Sequence, residues 1–492
     1  MEKLLRGILF DCYALIRRTI MFVQQFFLKG IAHSSYLLGG TKACAIIDPR
    51  RDVQLYLDAA KDMGMKITHV LETHLHADFI SGHLDLAEKT GAAIYVPKSA
   101  GCTFSHVGVA EGDTFAIEDM TVTVLDTPGH TPEHISYAVI DRARGGEPAA
   151  VFCGDTLFVG DVGRPDLFPG RARELASKLY ASLHKKILSL PDFCEVYPAH
   201  GAGSLCGRAM GAKRTSTIGY ERLYNAALHI QDEEEFIKSL TMHMPAAPDH
   251  FSRCSAINGQ GPRLMKDLPA LIPLSPARFR DAVQQGNTIV LDTRTYESFG
   301  GLHVPGSCHI DSRGNFATFA GWIIPPDRDI LLVAADPEQA HEASLWLRRV
   351  GLDRAVGYLE GGITEWAKAG FPAGHVQQLS LEELHAMAAI GRAMTLVDVR
   401  AAGEYEGYHV KNSINIPVQD LRTRYRELDK NINAVLVCST GIRSSMGASI
   451  LKMKGFTDVF SVAGGMTGYA AAGYAPECPV CVMPHGPVVS RR

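Results

Sequence analysis

The second half of the chain repeats itself. IVLDTRTYESFGGLHVPGSCHI, from Ile289, matches LVDVRAAGEYEGYHVKNSINIP, from Leu396, and YLEGGITEWAKAG, from Tyr358, matches SVAGGMTGYAAAG, from Ser461. Asp292 and Asp398 are 106 residues apart, and Gly362 and Gly465 are 103 apart. So constant an offset marks a duplicated domain, far longer than a solenoid unit. Each copy alternates parallel-type strands with helices. Two small α/β domains are therefore expected, at 273–375 and 376–475.

The 492 residues leave room for two to four domains in all. A net charge of -4 with 21% charged residues gives no basic excess, which argues against nucleic acid as a partner. Eleven cysteines are too few for a disulfide scaffold, so reduced thiols and a cytoplasmic setting are expected. Residues 1–20 mix apolar side chains with Lys3, Arg6, Asp11, Arg17 and Arg18. The longest uncharged run near this end, Thr19 to Leu28, is far short of a membrane span, and no secretory cleavage pattern follows it. The fold is read as starting at Met21, with 1–20 an extension outside it; an interfacial helix there is the alternative.

From about 30 to 200, β-type runs alternate with glycine-rich turns: SSYLLGG, CAIIDP, ITHVLETH, AAIYVP, MTVTVLDTPGH, ISYAVI, AAVFCGDTLF and CEVYPAH. Their ends carry donors. THLHADFISGH (Thr73–His83) offers His74, His76 and Asp78 at every second position, DTPGHTPEH (Asp126–His134) offers His130, CGDTLFVGDVGRPD (Cys153–Asp166) offers Asp155, and YPAHG offers His200. Four donor segments at strand ends in one block point to a metal site. Position 79, where another donor is expected, is Phe. Residues 205–250 look helical, and 251–272 has the Gly/Pro-rich texture of a linker or lid.

Together these motifs resemble the metallo-β-lactamase superfamily over residues 21–250, which implies an αββα sandwich followed by the two α/β copies. The family pattern is His-x-His-x-Asp-His, a later His, a bridging Asp and a last His. Dinuclear hydrolases fill both metal positions; Phe79 removes one ligand of the second, which argues for a mononuclear site. GDTLFVGDVGRPD strengthens a resemblance to the persulfide dioxygenase branch. That resemblance implies one Fe(II) per chain held by His74, His130 and Asp155, with His76, Asp78 and His200 orienting ligands and water. Two His and one carboxylate leave open positions for an anionic substrate and O2, whereas a zinc hydroxide would suit hydrolysis. Arg164 is a candidate for positioning substrate, an ordinary loop salt bridge being the alternative. Cys206 is a candidate sulfur acceptor, a buried structural thiol being the plainer reading.

In the last copy Cys438 opens CSTGIRSS directly after the apolar run AVLV. Strand, Cys, Gly-containing loop and helix make an anion cradle in which backbone N–H groups of Ser439, Thr440, Gly441 and Ile442 stabilise a thiolate and its cargo. Arg443 closes the loop and offers a guanidinium to an oxyanion. With Asp398 and GGMTGYAAAG, this resembles the rhodanese family; Cys-x4-Arg is the sulfurtransferase spacing, one residue shorter than in the related phosphatases. Aligning DILLVAADPEQA with NAVLVCSTGIRS puts Ala334 opposite Cys438 and Gln339 opposite Arg443. The first copy is therefore read as catalytically silent, a spacer or docking surface; Cys308 lies elsewhere in it.

The whole arrangement resembles persulfide dioxygenase–rhodanese fusions. The resemblance implies oxidation of a glutathione, coenzyme A or bacillithiol persulfide by O2 to sulfite, and conversion of sulfite to thiosulfate by the rhodanese copy, a role in sulfide detoxification. A glyoxalase II-like thioester hydrolase joined to a sulfur-delivery rhodanese is the alternative. No membrane partner is expected. A homo-oligomer, dimer or tetramer, is expected, with the silent copy or 205–270 at its interface. The 476–492 tail carries CPVC (Cys478 and Cys481), for which zinc is disfavoured because the chain holds no second CxxC.

Overall fold

The computed structural model describes residues 21–474, apart from 209, 243, 245–246 and 391–393. The N-terminal extension and the CPVC tail lie outside the described residues. The chain divides into two compact units, 1–267 and 268–492.

The first unit is built on two six-stranded sheets. In spatial order, one runs Phe22–Leu28, His33–Gly39, Ala43–Ile47, Lys66–Leu71, Ala93–Pro97 and Val107–Val109. It begins antiparallel and becomes parallel from Ala43–Ile47 onward. The other runs Ser216–Thr217, Glu195–Pro198, Ala150–Gly154, Ile135–Asp141, Met120–Asp126 and Thr114–Ile117. Both faces of each sheet are apolar, because successive side chains point to opposite sides. Tyr36, Leu38, Ala45 and Ile47 meet Val122, Val124, Tyr137 and Phe152 between the sheets. Leu37, Cys44, Ile46 and Val70 face outward onto the helices Gln54–Asp62 and His83–Thr90. Val151 and Cys153 likewise face Leu179 and Leu183 of helix Ala172–Lys185 and Phe236 of helix Glu233–Thr241. The result is the expected αββα sandwich.

The eight β-type runs all contain strands. Val107–Val109 and Thr114–Ile117 were not anticipated: both are short edge strands between polar flanks, with only Val109, Phe115 and Ile117 packed on the core. The stretch 251–272, expected as a linker, differs more. Helix His250–Gln260 opens it, and Asn258 is buried against the first unit. Its side-chain amide donates to the carbonyls of His76 (2.8 Å) and Phe79 (2.9 Å), while its carbonyl oxygen accepts from the Ser81 N–H (2.9 Å). The sequence looked loose because the helix is short of large apolar residues; its tie to the fold is one amide.

The second unit holds two five-stranded parallel sheets of identical order. They are Ile272–Leu274, Ala355–Leu359, Asp329–Val333, Thr288–Asp292, Cys308–His309, and Gln377–Leu379, Val459–Val462, Asn433–Val437, Met394–Asp398, Ile414–Asn415. The repeat extends to side chains. Arg294 donates to Asp292 (2.9 and 2.6 Å) and to the Leu302 carbonyl (2.7 Å). Arg400 donates to Asp398 (3.0 and 2.7 Å) and to the Tyr408 carbonyl (2.6 Å). The eight described cysteines are free, and no helix among the described residues is long and apolar enough to cross a membrane.

Candidate metal centre and sulfur site

The donors of the first unit gather where the two sheets are sewn together. His33 and His200 form a bridge, Ser34 N–H donates to the Ala199 carbonyl (2.7 Å), and Ile135 N–H donates to that of Thr73 (2.9 Å). The loop after Lys66–Leu71 is anchored by Asp48, a non-glycine residue at φ +50° whose carboxylate accepts from the Thr73 N–H (2.8 Å) and hydroxyl (3.0 Å). Aspartate enters that left-handed region more readily than most residues, and here the bonds to Thr73 hold it there.

His74, His130 and Asp155 come together here, each fully buried, with donor atoms within 4.8 Å of one another. His130 Nε2 lies 3.2 Å from Asp155 Oδ2, and His74 Nε2 lies 3.9 Å from it. The ring tautomers follow from the partners. The Arg164 carbonyl can only accept, so His130 Nδ1 donates to it (2.9 Å). The Thr73 hydroxyl gives its proton to Asp48 and so accepts from His74 Nδ1 (2.9 Å). Each ring thus turns a bare Nε2 inward, and His130 Nε2 is a buried polar atom without a hydrogen-bond partner. That is the arrangement metal-binding imidazoles require. Burial, then the neighbouring histidines, hold the His74 pKa well below the usual range; burial also lowers that of His130, against the pull of Asp155. Both are therefore neutral. Asp155 is depressed: burial opposes its charge, but His200 and His130 outweigh it.

His200 bridges two carboxylates, its Nδ1 on Asp155 (2.7 and 3.0 Å) and its Nε2 on Asp78 (2.9 Å). Burial alone would lower its pKa, but Asp155 and Asp78 raise it to about 10. His76 turns to another pair of acids, with Nε2 3.1 Å from Asp48 and 3.3 Å from Glu72, its ring tilted against His74 at 4.2 Å. Phe79 is buried between the rings of His33 (4.1 Å) and His76 (4.5 Å). It supplies no donor, yet the second position is not bare: Asp78, His200 and Cys206 form another cluster of three donors.

Cys206 therefore lies beside the centre, its Sγ grouped with Asp78 and His200; burial, then Asp78 and Asp155, push its thiol pKa far up. Arg164 is buried, and its guanidinium donates to both Asp166 oxygens (2.7 Å each) and to the Leu205 carbonyl (3.1 Å). This is the salt-bridge alternative, with the added service that the Arg164 carbonyl fixes His130. Sequence reasoning missed Asn258, which pins the His74–His83 loop, and His134, which accepts from the Asp155 N–H (2.9 Å). The second of these was legible as the last residue of DTPGHTPEH.

In the second unit the Asn433–Val437 strand delivers Cys438 to a loop that ends at Gly441, φ +108°, the cap of helix Ile442–Met453. The Gly441 N–H donates to Cys438 Sγ (3.1 Å), and the thiol reaches the Ser444 hydroxyl (3.6 Å). Arg443 is held by Glu404 through two bonds (2.7 and 2.8 Å) and donates to the Ser439 hydroxyl (2.8 Å), closing the loop. Glu404 was missed too. Its counterpart in the repeat is Ser298, so the acid disappears together with the arginine. Gly465 backs the loop so closely that a Cβ there would collide with the Cys438 carbonyl.

In the first copy, Pro337 stands where Gly441 does and has no N–H to give. Asp336 accepts from the Gln339 N–H (2.8 Å), and Gln339 Oε1 accepts from that of Ala335 (2.7 Å). Side chains of the loop thus occupy donors that an anion would otherwise use.

The metallo-beta-lactamase superfamily pattern matches residues 28–200, and the rhodanese-like domain pattern matches 275–369 and 380–472. A solved metallo-beta-lactamase from Staphylococcus aureus subsp. aureus COL is 36% identical, covering 69% of this chain and 99% of its own, with a TM-score of 0.62. The mitochondrial persulfide dioxygenase ETHE1 of Mus musculus is 32% identical over 225 residues, 44% of this chain and 79% of that one. A hydroxyacylglutathione hydrolase of Rhodospirillum rubrum is 38% identical over 164 residues, 32% of this chain and 58% of that one. The chain belongs to the metallo-beta-lactamase superfamily. Within it, this is a fusion: a domain homologous to ETHE1 persulfide dioxygenases, followed by tandem rhodanese-like domains.

Proposed function

We propose that the first unit is an iron(II) persulfide dioxygenase and that Cys438 is the nucleophile of a thiosulfate-forming sulfurtransferase. The observation that carries the reading is the buried His74–His130–Asp155 cluster with two inward-facing Nε2 atoms. Two imidazoles and one carboxylate fit a single ferrous ion; when bound, it supplies open positions for a persulfide anion and O2. His200 fixes the Asp155 carboxylate, and Thr73 and Arg164 fix the rings. Their full burial excludes bulk water from the donors.

The balance is RSSH + O2 + H2O giving RSH, sulfite and two protons. Cys438 then takes the outer sulfur of a second RSSH, releasing RSH, and passes it to sulfite to give thiosulfate. The Gly441 N–H, directed at Sγ, stabilises the thiolate each time it is regenerated. Joining the two activities in one chain raises the effective concentration of sulfite at the acceptor step. Removal of persulfide and sulfite together suits sulfide detoxification.

The test offers glutathione, coenzyme A and bacillithiol persulfides to protein purified without oxygen, recording O2 uptake, sulfite, thiosulfate and metal content. Iron near one per chain with O2 uptake and thiosulfate is expected. Zinc in its place, with no O2 uptake and with thioester hydrolysis, would establish the hydrolase reading. That second reading is favoured by one observation, the Asp78–His200–Cys206 donors at the second position.

A further inference from the structure

The silent copy reaches into the sulfur site. Two bonds from His309 fasten it to the helix that follows the Cys438 loop: its N–H donates to the Ser449 hydroxyl (2.9 Å), and its Nδ1 pairs with that of Ser445 (3.1 Å). The Arg422 guanidinium, from the active copy, donates to the Trp322 carbonyl. Tyr296 is placed by this docking. Its N–H donates to Asp311 (2.9 Å), and its ring lies against Gly441. A Cβ at Gly441 would sit 2.9–3.2 Å from the ring carbons Cζ, Cε2 and Cε1.

The Gly464 backbone acts electrostatically on the Tyr296 hydroxyl and lies next to the Gly465 that backs Cys438. The ring thus covers Gly441, with its hydroxyl towards Gly464. Arg313, held by Asp311, lies over it with its guanidinium carbon 5.6 Å from the ring centroid. Gly314 approaches Ile442 on the same side.

We propose that Tyr296 of the silent copy is a specificity-determining residue of the Cys438 site, a roof that admits small sulfur donors and acceptors and rejects bulky or protein-borne persulfides. The silent copy then does more than space the active modules; having lost its own nucleophile, it keeps the surface that narrows access to its sister's. This rests on reading Cys438 as a sulfur carrier, but its test does not need turnover.

The full-length protein is treated with iodoacetamide or with a fluorescein maleimide, and modification of the Cys438 peptide is followed by mass spectrometry. The wild type should favour the small reagent strongly over the large one after correction for their rates with a free thiol. Tyr296→Ala should shrink that preference by about tenfold, the scale of discrimination that pocket walls achieve. Tyr296→Phe keeps the ring and should retain most of the preference. In turnover, Tyr296→Ala should let a peptide-borne persulfide serve as donor. A wild type that shows no size preference overturns the proposal, and so does an alanine variant that keeps the wild-type preference. If the alanine variant does not fold, Tyr296→Leu, which lacks the reach to Gly464, is read the same way. Absence of sulfur transfer with an intact size preference would instead count against the function proposed for Cys438.

Discussion

His74, His130, Asp155 and His200 come from four segments of the first unit, each at the end of a different strand, whereas Cys438 to Arg443 are consecutive residues of the second. The first centre is made of side chains, and its geometry depends on distant supports such as Asn258 and the Arg164 carbonyl. The second is made largely of backbone from one strand, one turn and one helix, with Glu404 and Gly465 as its nearby supports. The difference shows in tolerance of loss. In the first copy Pro337 stands where Gly441 does and has no N–H to offer an anion, whereas the histidine site presents a second group of three donors although Phe79 supplies none.

The sharpest way to break this comparison is to disable each centre alone. Asp155→Ala should abolish bound iron and O2 uptake while Cys438 still transfers sulfur. Cys438→Ser should cut thiosulfate formation by about a thousandfold or more, as loss of a nucleophile does, leaving sulfite as the product and O2 uptake intact. Loss of both activities in either variant would mean that the centres are not independent.

Next in size is Asn258→Ala, which strands two carbonyls and one N–H that the amide now satisfies. It should cost about 2–4 kcal/mol in denaturant unfolding of the first unit. Iron affinity should fall about tenfold, the scale of a lost support to a ligand. An unchanged unfolding midpoint would refute the anchoring role. Glu404→Gln, which weakens the hold on Arg443, should lower sulfur transfer about tenfold and leave O2 uptake alone, as a charge-assisted bond of roughly 1.5–3 kcal/mol is lost. The smallest effect is expected of Ala334→Cys with Gln339→Arg. This pair restores nucleophile and arginine to the silent copy, yet transfer by a Cys438→Ser background should stay at its floor, because Pro337 still withholds the N–H.

Much of this was legible in the order of residues. The duplication, the cysteine loop and its missing counterpart are local patterns, and local backbone geometry follows local sequence. The histidine motifs announced a candidate metal site because ligands cluster at strand ends. Other parts were hidden for a physical reason. Asn258 sits in a stretch whose composition reads as loose, and its worth lies in three hydrogen bonds to residues about 180 positions earlier. For Arg164 the sequence left substrate positioning and a loop salt bridge both open, because its charge is visible there but its engagement with Asp166 and Leu205 is not.

By itself, the sequence determined a histidine-rich set of strand ends, a Cys-x4-Arg loop after a strand, and a sister copy with neither that cysteine nor that arginine, since all three are set by residue type and short spacing. Only the tertiary structure decided which ring nitrogens face inward, that Cys206 joins Asp78 and His200, and that Tyr296 covers Gly441. Those outcomes depend on which distant segments become neighbours, and burial, packing and hydrogen-bond partners exist only once they do.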